Sequence, residues 1–421
     1  MKIALFLVAL GGSLYSQTLT LDQAIAAGLA HNPRIGLAQK DLEAADARVK
    51  IIRADLYPKL TFSGIAKAGL SGATNALGLV GLPNSPFYRN FAASLNLTQT
   101  VFDFGRRAAA IDVERRNRDA IAADLAFAKA SVSIQVERSY LRLLRAQTLS
   151  TVGAELLNAR EGAFRKAQIF YEAQYSSRIP VDEAQLQLAS TRRVVREQEL
   201  EVQRYSVELG AAMGTLNFAL YNLAQPAVDK QLPGTVQESI EAALANRPDL
   251  QALHARRRGA EANVRLARSL RMPSLSLALA GGYARFSSLL LRELTAAGAG
   301  LTAPIYTGGS IDGQIALAKA LTESLAGQEE ATRQKITVEV SQAFLEYNSR
   351  LDVLMDLQAR KALERSRLGL AREQYVEGLS SGVDFKAVQA LSSDATIKVR
   401  AAEMDIQLAV ADIQFVTGTL K

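Results

Sequence analysis

Two hydrophobic periods alternate along the chain, and the longest stretches have the period of a helix. After Phe104, and again after Gly308, about 70 residues contain no proline and are dense in Ala, Glu, Arg, Gln and Leu. Apolar residues in these stretches recur at heptad spacing, as Ile134 and Leu141 do. Each stretch predicts a helix of roughly 100 Å, which is too long for a globular core and has to pack lengthwise against neighbours.

A period of two precedes each long helix. Leu60 and Phe62 alternate with polar side chains, and Leu275 and Leu277 alternate with serine and small residues. Each pattern predicts a strand that pairs with a return strand, and the second return strand, rich in Ala and Gly, is assigned by analogy with the first. The predicted pairs are about 58–70 with 88–102 and about 273–286 with 292–306. Strands of about 12 residues suit an outer membrane crossed at a tilt.

The helices and strands belong to an internal duplication. Residues 20–64 align with 235–279 at a constant offset of 215, and the segments after residue 97 align at an offset of 204. The first copy is longer by 11 residues, all between about 65 and 97, which marks a surface loop. Matching positions include Thr20 with Thr235, Pro33 with Pro248, Pro58 with Pro273, Tyr171 with Tyr375 and Gly214 with Gly418.

Both copies open with the same helix signal. Thr20 with Gln23, and Thr235 with Glu238, form the Thr-x-x-Gln/Glu capping box of a helix start. The first proline of each copy then starts a second helix, and the next proline ends it. The predicted division is a first repeat at 17–222, a linker at 223–234 and a second repeat at 235–421. The long helical hairpins fall at 104–217 and 308–418.

The first sixteen residues have the order of a secretory signal. Lys2 is the one charge, an apolar run extends from Ile3 to Leu10, and small residues precede Gln17. We therefore assign 1–16 as a signal peptide, the alternative being the buried first strand of a cytosolic domain. The sequence has no cysteine, so we expect no disulfides, no thiolate metal sites and no N-terminal lipid anchor.

Charge and composition point away from nucleic acid and from catalysis. The net charge of +7 comes from basic and acidic residues interleaved along the chain, which predicts a salt-bridged helical surface without a nucleic-acid-binding patch. We find no Ser-His-Asp or metal-ligand cluster, and His31 and His254 have no acidic companion at ligand spacing. We therefore expect neither an enzyme nor a cofactor or metal.

Four strands cannot close a barrel, and open strand edges are not tolerated in lipid. We therefore expect symmetric oligomers, with eight strands from a two-fold or twelve from a three-fold axis. The helices would continue on one side as a hollow bundle, so the assembly would be a conduit. The alternative is a periplasmic or surface coiled-coil scaffold without a pore, which would leave the strands unexplained.

The chain resembles the TolC family of outer-membrane efflux proteins from Thr20 to Leu420. The resemblance rests on the duplicated Asn-Pro or Arg-Pro followed by Pro-x-Leu, on the strand exits "LTQTVFDFG" and "LTAPIYTGG", on the turn "YVEGLSSGVDF", and on the Gly-Thr-Leu endings. Each motif is weak alone, but their duplicated order at constant spacing is specific.

The resemblance implies a fold and a set of partners. The fold is mainly α with transmembrane β: an internally duplicated, trimeric 12-stranded β-barrel, with four strands per protomer, that continues into a long periplasmic α-helical barrel. The homotrimer lies in the outer membrane and contacts its lipid, with the helical part in the periplasm. It docks on a periplasmic adaptor (membrane fusion) protein and an inner-membrane pump of the proton-driven or ABC type. It passively conducts substrates outward in efflux or type I secretion.

The resemblance also implies an acidic ring where the hairpin turns close the tube. Asp384 matches that position in the second turn, and helix capping is the alternative role for it. In the first turn Gln174 replaces the glycine and Pro180 takes the acidic position, so Asp182 and Glu183 are the candidates there.

Two further surfaces are expected, one at the hairpin tips from the resemblance and one at the strand ends from the positions of aromatic residues. Arg178, Ser380 and Ser381 lie at the hairpin tips, where an adaptor would bind, or are plain exposed polar residues. Aromatic residues at the expected strand ends form a membrane-interface girdle or pack in a core. These aromatic residues are Phe87, Tyr88, Phe102 and Tyr306.

The strand exits contain one misleading motif, Asp-Phe-Gly at 103–105. A magnesium-binding kinase motif would need upstream elements that are absent here. The duplication aligns Asp103 with Thr307 and Gly105 with Gly309, and both Asp and Thr cap helices. We therefore predict that these four residues form the seam between strand and long helix.

Overall fold

The computed structural model describes residues 18–70, 87–215, 220–225, 234–285, 293–379 and 382–419. The predicted signal peptide, the loop at 71–86, the turn near Ser287 and most of the linker lie outside these ranges. The elements are α1 (Leu21–His31), α2 (Pro33–Ala54), β1 (Lys59–Leu70), β2 (Phe87–Phe102), α3 (Arg106–Glu172), α4 (Ile179–Ala212), α5 (Val236–Asn246), α6 (Pro248–Ser269), β3 (Ser274–Arg285), β4 (Glu293–Thr302), α7 (Ser310–Val376) and α8 (Gly382–Val416).

The predicted fold class, mainly helical with duplicated strand pairs, is confirmed. The long helices α3 and α7 each contain 67 residues. Both capping boxes are formed: Gln23 N donates to Thr20 Oγ1 at 3.3 Å, and Glu238 N donates to Thr235 Oγ1 at the same distance. None of the helices in the described ranges is long and apolar enough to cross a membrane.

The chain forms two compact units. The first unit comprises residues 1–37, 126–247 and 334–421, and the second comprises 38–125 and 248–333. Apolar side chains from the long hairpins fill the core of the first unit, and the largest fully buried ones are Tyr140, Leu141, Leu143, Leu209, Ile336 and Ile413. In the second unit Ala267 of α6 packs with Ile315 and Ala318 of α7 in a small core.

The four strands form one antiparallel sheet in the order β1-β2-β3-β4. In its register Leu60 pairs with Leu97, and Leu97 pairs with Leu279. Cross-strand partners lie on the same side of a sheet, so the leucines share one face. We call this the apolar face: Leu60, Phe62, Leu95, Leu97, Leu277, Leu279 and Leu301. The opposite, polar face presents Thr61, Ser63, Ser94, Asn96, Thr98 and Ser276.

The fourth strand is shorter than the sequence predicts. We expect it to extend to about residue 306, but β4 ends at Thr302, which pairs with Ser274, the first residue of β3. Pro304 has no N–H to donate, and Pro273 ends the partner strand on the other side. The prediction that Tyr306 lies at a strand end is therefore wrong, and Tyr306 lies in the segment between β4 and α7.

Equivalent elbows join α1 to α2 and α5 to α6. At the first, Asn32 Nδ2 donates to the carbonyl of Ala212 at 2.9 Å. At the second, Arg247 Nη1 donates to the carbonyl of Val416 at 3.4 Å, and 204 residues separate the two acceptors. Arg247 is buried and forms an ion pair with Glu339 at 2.5 Å. The second elbow thus needs a counterion that the first does not.

Candidate functional site

The first strand-to-helix junction comprises residues 102–107. Phe104 and Gly105 have positive φ angles of 50° and 83°, which turn the chain from β2 into α3. Asp103 accepts hydrogen bonds from Gly105 N at 3.2 Å, from Arg107 N at 3.0 Å and from Arg107 Nε at 2.7 Å. Its carboxylate therefore satisfies backbone amides at the start of α3, as capping side chains do.

Asp103 lies just beyond the last residue of β2 and is buried. Burial raises the pKa of its carboxyl, but the hydrogen bonds and positive charge of Arg107 outweigh that effect, so the pKa lies below its ordinary value. Asp103 and Arg107 thus form a charged pair with most of both side chains removed from water.

Consecutive arginines connect this junction to two other helices. Arg107 Nη1 donates to the carbonyl of Asp55, just after α2, at 3.2 Å. Arg106 Nη2 donates to the carbonyls of Ser269 and Met272, at the end of α6, at 3.2 and 3.1 Å. Guanidinium groups have several donors in a fixed geometry, so each arginine holds the C-terminal end of one helix.

The second junction, residues 302–310, has the same turn with different side chains. Gly308 and Gly309 have φ angles of 59° and 82°. The carbonyl of Thr307 accepts from Ser310 N at 3.1 Å, while its side chain is exposed and makes no hydrogen bond to any residue that the structure describes. The four seam residues thus occupy equivalent turns, but only Asp103 caps its helix through its side chain.

The candidate interface aromatics are found in different settings. Phe102 is about half exposed and its ring contacts that of Phe104 edge-on, with centroids 4.7 Å apart. Tyr306 is 90% exposed, beside Ile305 at 99%. Phe87 and Tyr88 open β2, but their side chains lie outside the described part of the chain.

The first hairpin turn closes without a glycine. Gln174 has a φ of 61°, and Tyr175 N donates to the carbonyl of Phe170 at 2.8 Å. Asp182, in the first turn of α4, lies 3.5 Å from Arg178, and both side chains are mostly exposed. Glu183 lines a groove of about 470 Å³ together with residues of α3 and α8.

The second hairpin turn has the same geometry with a glycine. Gly378 has a φ of 74°, and Leu379 N donates to the carbonyl of Gln374 at 2.8 Å. Asp384 is the third residue of α8, in the first turn of the helix, and its side chain lies outside the described part. Ser380 and Ser381 fall outside it as well.

Exposed apolar stripes on two helices of the first unit escape sequence analysis. The α4 stripe consists of Leu186, Leu200 and Val207, which are 72%, 63% and 43% exposed. The α7 stripe consists of Val338 and Leu345, which are 53% and 69% exposed. Both stripes have heptad spacing, which is typical of a helix that packs against another helix.

The positions equivalent to Leu200, to Val207 and to the α7 stripe are buried, whereas Ala390, the equivalent of Leu186, is half-buried. Met404 and Ala411 of α8 correspond to the last two α4 residues, and Ile134 and Leu141 of α3 correspond to the α7 stripe. The helices α3 and α8 contact each other through two ion pairs, Arg138 with Asp412 at 2.6 Å and Arg145 with Asp405 at 3.3 Å. The stripe residues of α4 and α7 are therefore exposed where equivalent residues of α8 and α3 are buried, although the sequences of α4 and α7 suit the same kind of packing.

A charged cluster in the second unit was also missed. His254 Nε2 of α6 lies 3.1 Å from Glu329 of α7, a buried carboxylate that also forms ion pairs with Arg257 and Arg333. The sequence offers His254 no acidic companion at ligand spacing, and the packing of α6 on α7 supplies one from 75 residues away. Among the residues that the structure describes, no group of three or more His, Cys, Asp or Glu could hold a metal ion.

Comparisons with known proteins agree on one family. The family model described as outer membrane efflux protein matches residues 24–215 and 239–419. The pyoverdine export outer membrane protein OpmQ of Pseudomonas aeruginosa is 24% identical over 313 residues, which cover 74% of this chain and 65% of that protein. The OpmQ protein of Pseudomonas putida is 26% identical over 388 residues, 85% of this chain and 77% of that protein.

The fold is shared with solved outer-membrane channels. The structure of the outer-membrane channel OprN has a TM-score of 0.76 at 20% identity, and the alignment covers 95% of this chain and 90% of that one. The chain spans slightly less than two thirds of the P. aeruginosa OpmQ protein. Family and fold are thus those of channel proteins rather than enzymes.

Proposed function

The chain belongs to the outer membrane efflux protein family, and we propose that it serves as the exit duct of a tripartite efflux or type I secretion system. It is an outer-membrane protein that conducts substrates passively and performs no catalysis, because an inner-membrane pump supplies the energy. A periplasmic adaptor would connect it to that pump. A scaffold without a pore would leave the apolar face of the sheet without a purpose.

The sheet supports a membrane location. Its apolar face carries exposed leucines, with Leu60 at 65% and Leu301 at 72%, while serine, threonine and asparagine occupy the other face. This division is that of barrel strands with one side toward lipid and the other toward a polar lumen. The outer edges of β1 and β4 have no strand partner in the described chain, so closure requires further copies.

The observation that carries the proposal is the mismatch between the buried α3–α8 faces and the exposed stripes on α4 and α7. A second copy would bury both stripes if its α7 packed on α4 as α8 packs on α3. Such a contact joins different surfaces of neighbouring copies, and repetition of it closes a ring. With four strands from each chain, three copies give a twelve-stranded barrel.

A charge introduced into the α7 stripe tests whether copies of the chain form this ring. We expect Leu345→Arg to reduce trimers in detergent extracts by more than tenfold, because a buried unpaired charge is strongly unfavourable at a helix interface. Leu37→Arg is the matched control, since Leu37 is 68% exposed and lies outside both stripes. Native mass spectrometry reads the oligomer. An unchanged amount of trimer in Leu345→Arg would refute the ring. Recovery of the wild-type protein entirely as a soluble periplasmic species would refute the duct.

We further propose that the hairpin turns form the periplasmic aperture and the adaptor contact. Asp384, Asp182 and Glu183 would supply its carboxylates, because symmetric copies bring like charges together around an axis where cations accumulate. Arg178, Ser380 and Ser381 would contact the adaptor. The support is their position at the two turns that end the long helices.

Conductance tests the aperture. In planar bilayers Asp384→Ala should weaken block by divalent cations, with a smaller effect from Asp182→Ala because Arg178 already lies beside that carboxylate. Asp394→Ala is the control, since Asp394 lies further along α8 and pairs with Lys398. Block that is the same in Asp384→Ala and in the wild type would remove Asp384 from the aperture.

A further inference from the structure

The helices α2 and α6 carry arginines at equivalent positions in their last turns. Arg53 and Arg268 are 215 residues apart, the offset of the duplication in this region. Both are exposed, and neither has an ion-pair partner among the residues that the structure describes. Exposed arginines elsewhere on α6, such as Arg256 and Arg265, pair with Asp124 and Asp112.

The first junction binds the ends of both helices close to these two arginines in sequence. Arg107 binds the carbonyl of Asp55, two residues after Arg53, and Arg106 binds the carbonyl of Ser269, the residue after Arg268. Consecutive side chains of α3 therefore hold both helix ends beside the start of the sheet.

The charges around this junction do not balance. The basic residues of the two helix ends and of the junction are Arg53, Lys59, Arg106, Arg107, Arg268 and Arg271. The carboxylates are Asp55, Asp103 and Asp312, and each already has a cation beside it: Lys59, Arg107 and Arg271 respectively. Arg106 is directed at backbone carbonyls, so Arg53 and Arg268 remain available to an anion from outside the chain.

Exposed apolar side chains lie near the same end of the sheet, and we call them and these basic residues one layer. Leu56 and Tyr57 follow α2 and are 45% and 69% exposed, and Phe102 and Tyr306 flank the sheet. The layer therefore continues the apolar face of the sheet and adds positive charge at its edge. Aromatic rings next to basic residues are suited to the boundary between acyl chains and phospholipid headgroups.

We propose that Arg53 and Arg268, together with Tyr57, Phe102 and Tyr306, form a collar that binds the headgroups of anionic phospholipids in the membrane leaflet at this end of the sheet. The collar rests on the proposed function, because it requires the sheet to span a bilayer. The partner has to carry a phosphodiester without a compensating positive charge, as phosphatidylglycerol does. The two arginines recur in every copy, so a trimer would present six.

A second role is open to the same residues. Basic side chains in the last turn stabilise a helix by interacting with its dipole, with or without lipid. The two roles differ in what they require: lipid binding depends on the headgroup, whereas the helix dipole does not.

The test compares retained lipid on the detergent-solubilised full-length assembly by native mass spectrometry. The probes are phosphatidylglycerol and phosphatidylcholine with identical acyl chains. We expect wild type to prefer phosphatidylglycerol, and Arg53→Ala/Arg268→Ala to lose about fivefold of that preference per arginine. Arg53→Lys/Arg268→Lys should keep most of it, because the charge remains. Arg365→Ala/Arg372→Ala, two exposed arginines towards the hairpin end of α7, should match wild type.

The outcomes separate the collar from the duct. Equal preference in wild type and in the double alanine variant, or no preference in wild type, overturns the collar. Loss of thermal stability that is the same with either lipid, while the double alanine variant keeps the headgroup preference, would assign the arginines to the helix dipole and also overturn the collar. Conductance in planar bilayers is measured on the same samples: wild type that forms pores without headgroup preference leaves the duct intact, and wild type that forms no pores refutes the duct itself.

Discussion

The two halves of the chain make the same turns with different side chains. At the junctions Phe104 and its counterpart Gly308 have φ angles of 50° and 59°. Gly105 and its counterpart Gly309 have φ angles of 83° and 82°. Phe104 and Gly105 achieve this beside a buried ion pair and two arginines that hold neighbouring helices, whereas Gly308 and Gly309 achieve it through glycine's backbone freedom. Duplication has preserved the backbone path, while the contacts that stabilise it have diverged.

The elbows differ in the same way. The first uses the neutral Asn32, and the residue equivalent to Glu339 there is Gln135, which accepts from Arg34 at 3.4 Å. The second uses Arg247 with Glu339. A neutral asparagine and an arginine with a counterion thus serve one geometry, which predicts that substitutions of equivalent residues will have unequal effects.

The largest expected effect concerns the glycines that end α4 and α8. Gly214 and Gly418 have φ angles of 77° and 69°, but a Cβ on Gly214 would lie 2.5 Å from the carbonyl oxygen of His31, while on Gly418 the nearest atom is Arg247 N at 3.1 Å. We expect Gly214→Ala to destabilise by about 3 kcal/mol and Gly418→Ala by about 1–2 kcal/mol.

Thermal unfolding followed by circular dichroism in detergent measures both variants. Gly313→Ala in α7 is the control, because a Cβ there meets no atom within 4 Å and alanine favours a helix. Equal losses in Gly214→Ala and Gly418→Ala would contradict the difference in packing at the two elbows.

The junctions should come next. Asp103→Ala removes a buried carboxylate and leaves Arg107 without its partner, so we expect a loss of about 2–3 kcal/mol. Thr307→Ala removes an exposed side chain and should change stability by about 0.5 kcal/mol or less. The ratio of the two shifts in unfolding midpoint is the measurement. A Thr307→Ala shift as large as that of Asp103→Ala would show that both junctions rely on their caps.

The Asp103 effect should depend on pH. Its pKa in the folded state lies below the ordinary value of 3.8, so its contribution to stability is complete above that value and is lost as pH falls through the folded pKa. We expect the gap between wild type and Asp103→Asn to be constant from pH 5 to 7 and to narrow below about pH 4. A gap that widens in acid would contradict the direction of the shift.

The elbow pair should show a smaller, compensating effect. Glu339→Gln leaves the buried Arg247 with a weaker acceptor, and we expect a loss of about 1–2 kcal/mol, because Glu339 is 31% exposed. The double variant Arg247→Asn/Glu339→Gln reproduces the residues of the first elbow and should recover at least half of that loss. Additive losses in the double variant would mean that the surroundings of the second elbow accept only the charged pair.

The smallest expected effect is at the hairpin turns. Gln174 adopts a left-handed conformation with an exposed side chain, so Gln174→Gly should stabilise by about 0.5–1 kcal/mol. Gly378→Ala, at the equivalent position with open space around it, should destabilise by about 1 kcal/mol. Unfolding midpoints that move in the same direction for both variants would contradict the equivalence of the turns.

Local signals in the sequence predict much of this architecture. The capping boxes, the prolines that bound α2 and α6, the two long helices and the capping carboxylate at Asp103 depend on neighbouring residues, and they were predicted from the spacing of those residues. The length of β4 was not predicted correctly, because a strand ends where its partner stops offering hydrogen bonds. Here Pro273 limits the partner strand β3.

The candidate sites divide in the same manner. The seam at 103–105 was predicted because its second copy argued against a metal-binding motif. The hydrogen bonds from Arg106 to the end of α6 and from Arg107 to the end of α2 were not predicted, since their acceptors are backbone carbonyls, which have no residue signature. His254 and Glu329 are 75 residues apart and meet only when α6 packs on α7.

The sequence by itself determined that this chain is a duplicated set of long helices and strand pairs of an outer-membrane efflux family, because period, capping and repetition are properties of the chain read in order. The tertiary structure alone decided which apolar stripes are buried. Leu141 and Leu345 occupy equivalent heptad positions and read alike, but one is 1% exposed and the other 69%. Burial depends on which distant helix packs against a given face: in the described part of the chain α8 packs against α3, whereas the α7 face that carries Leu345 stays exposed.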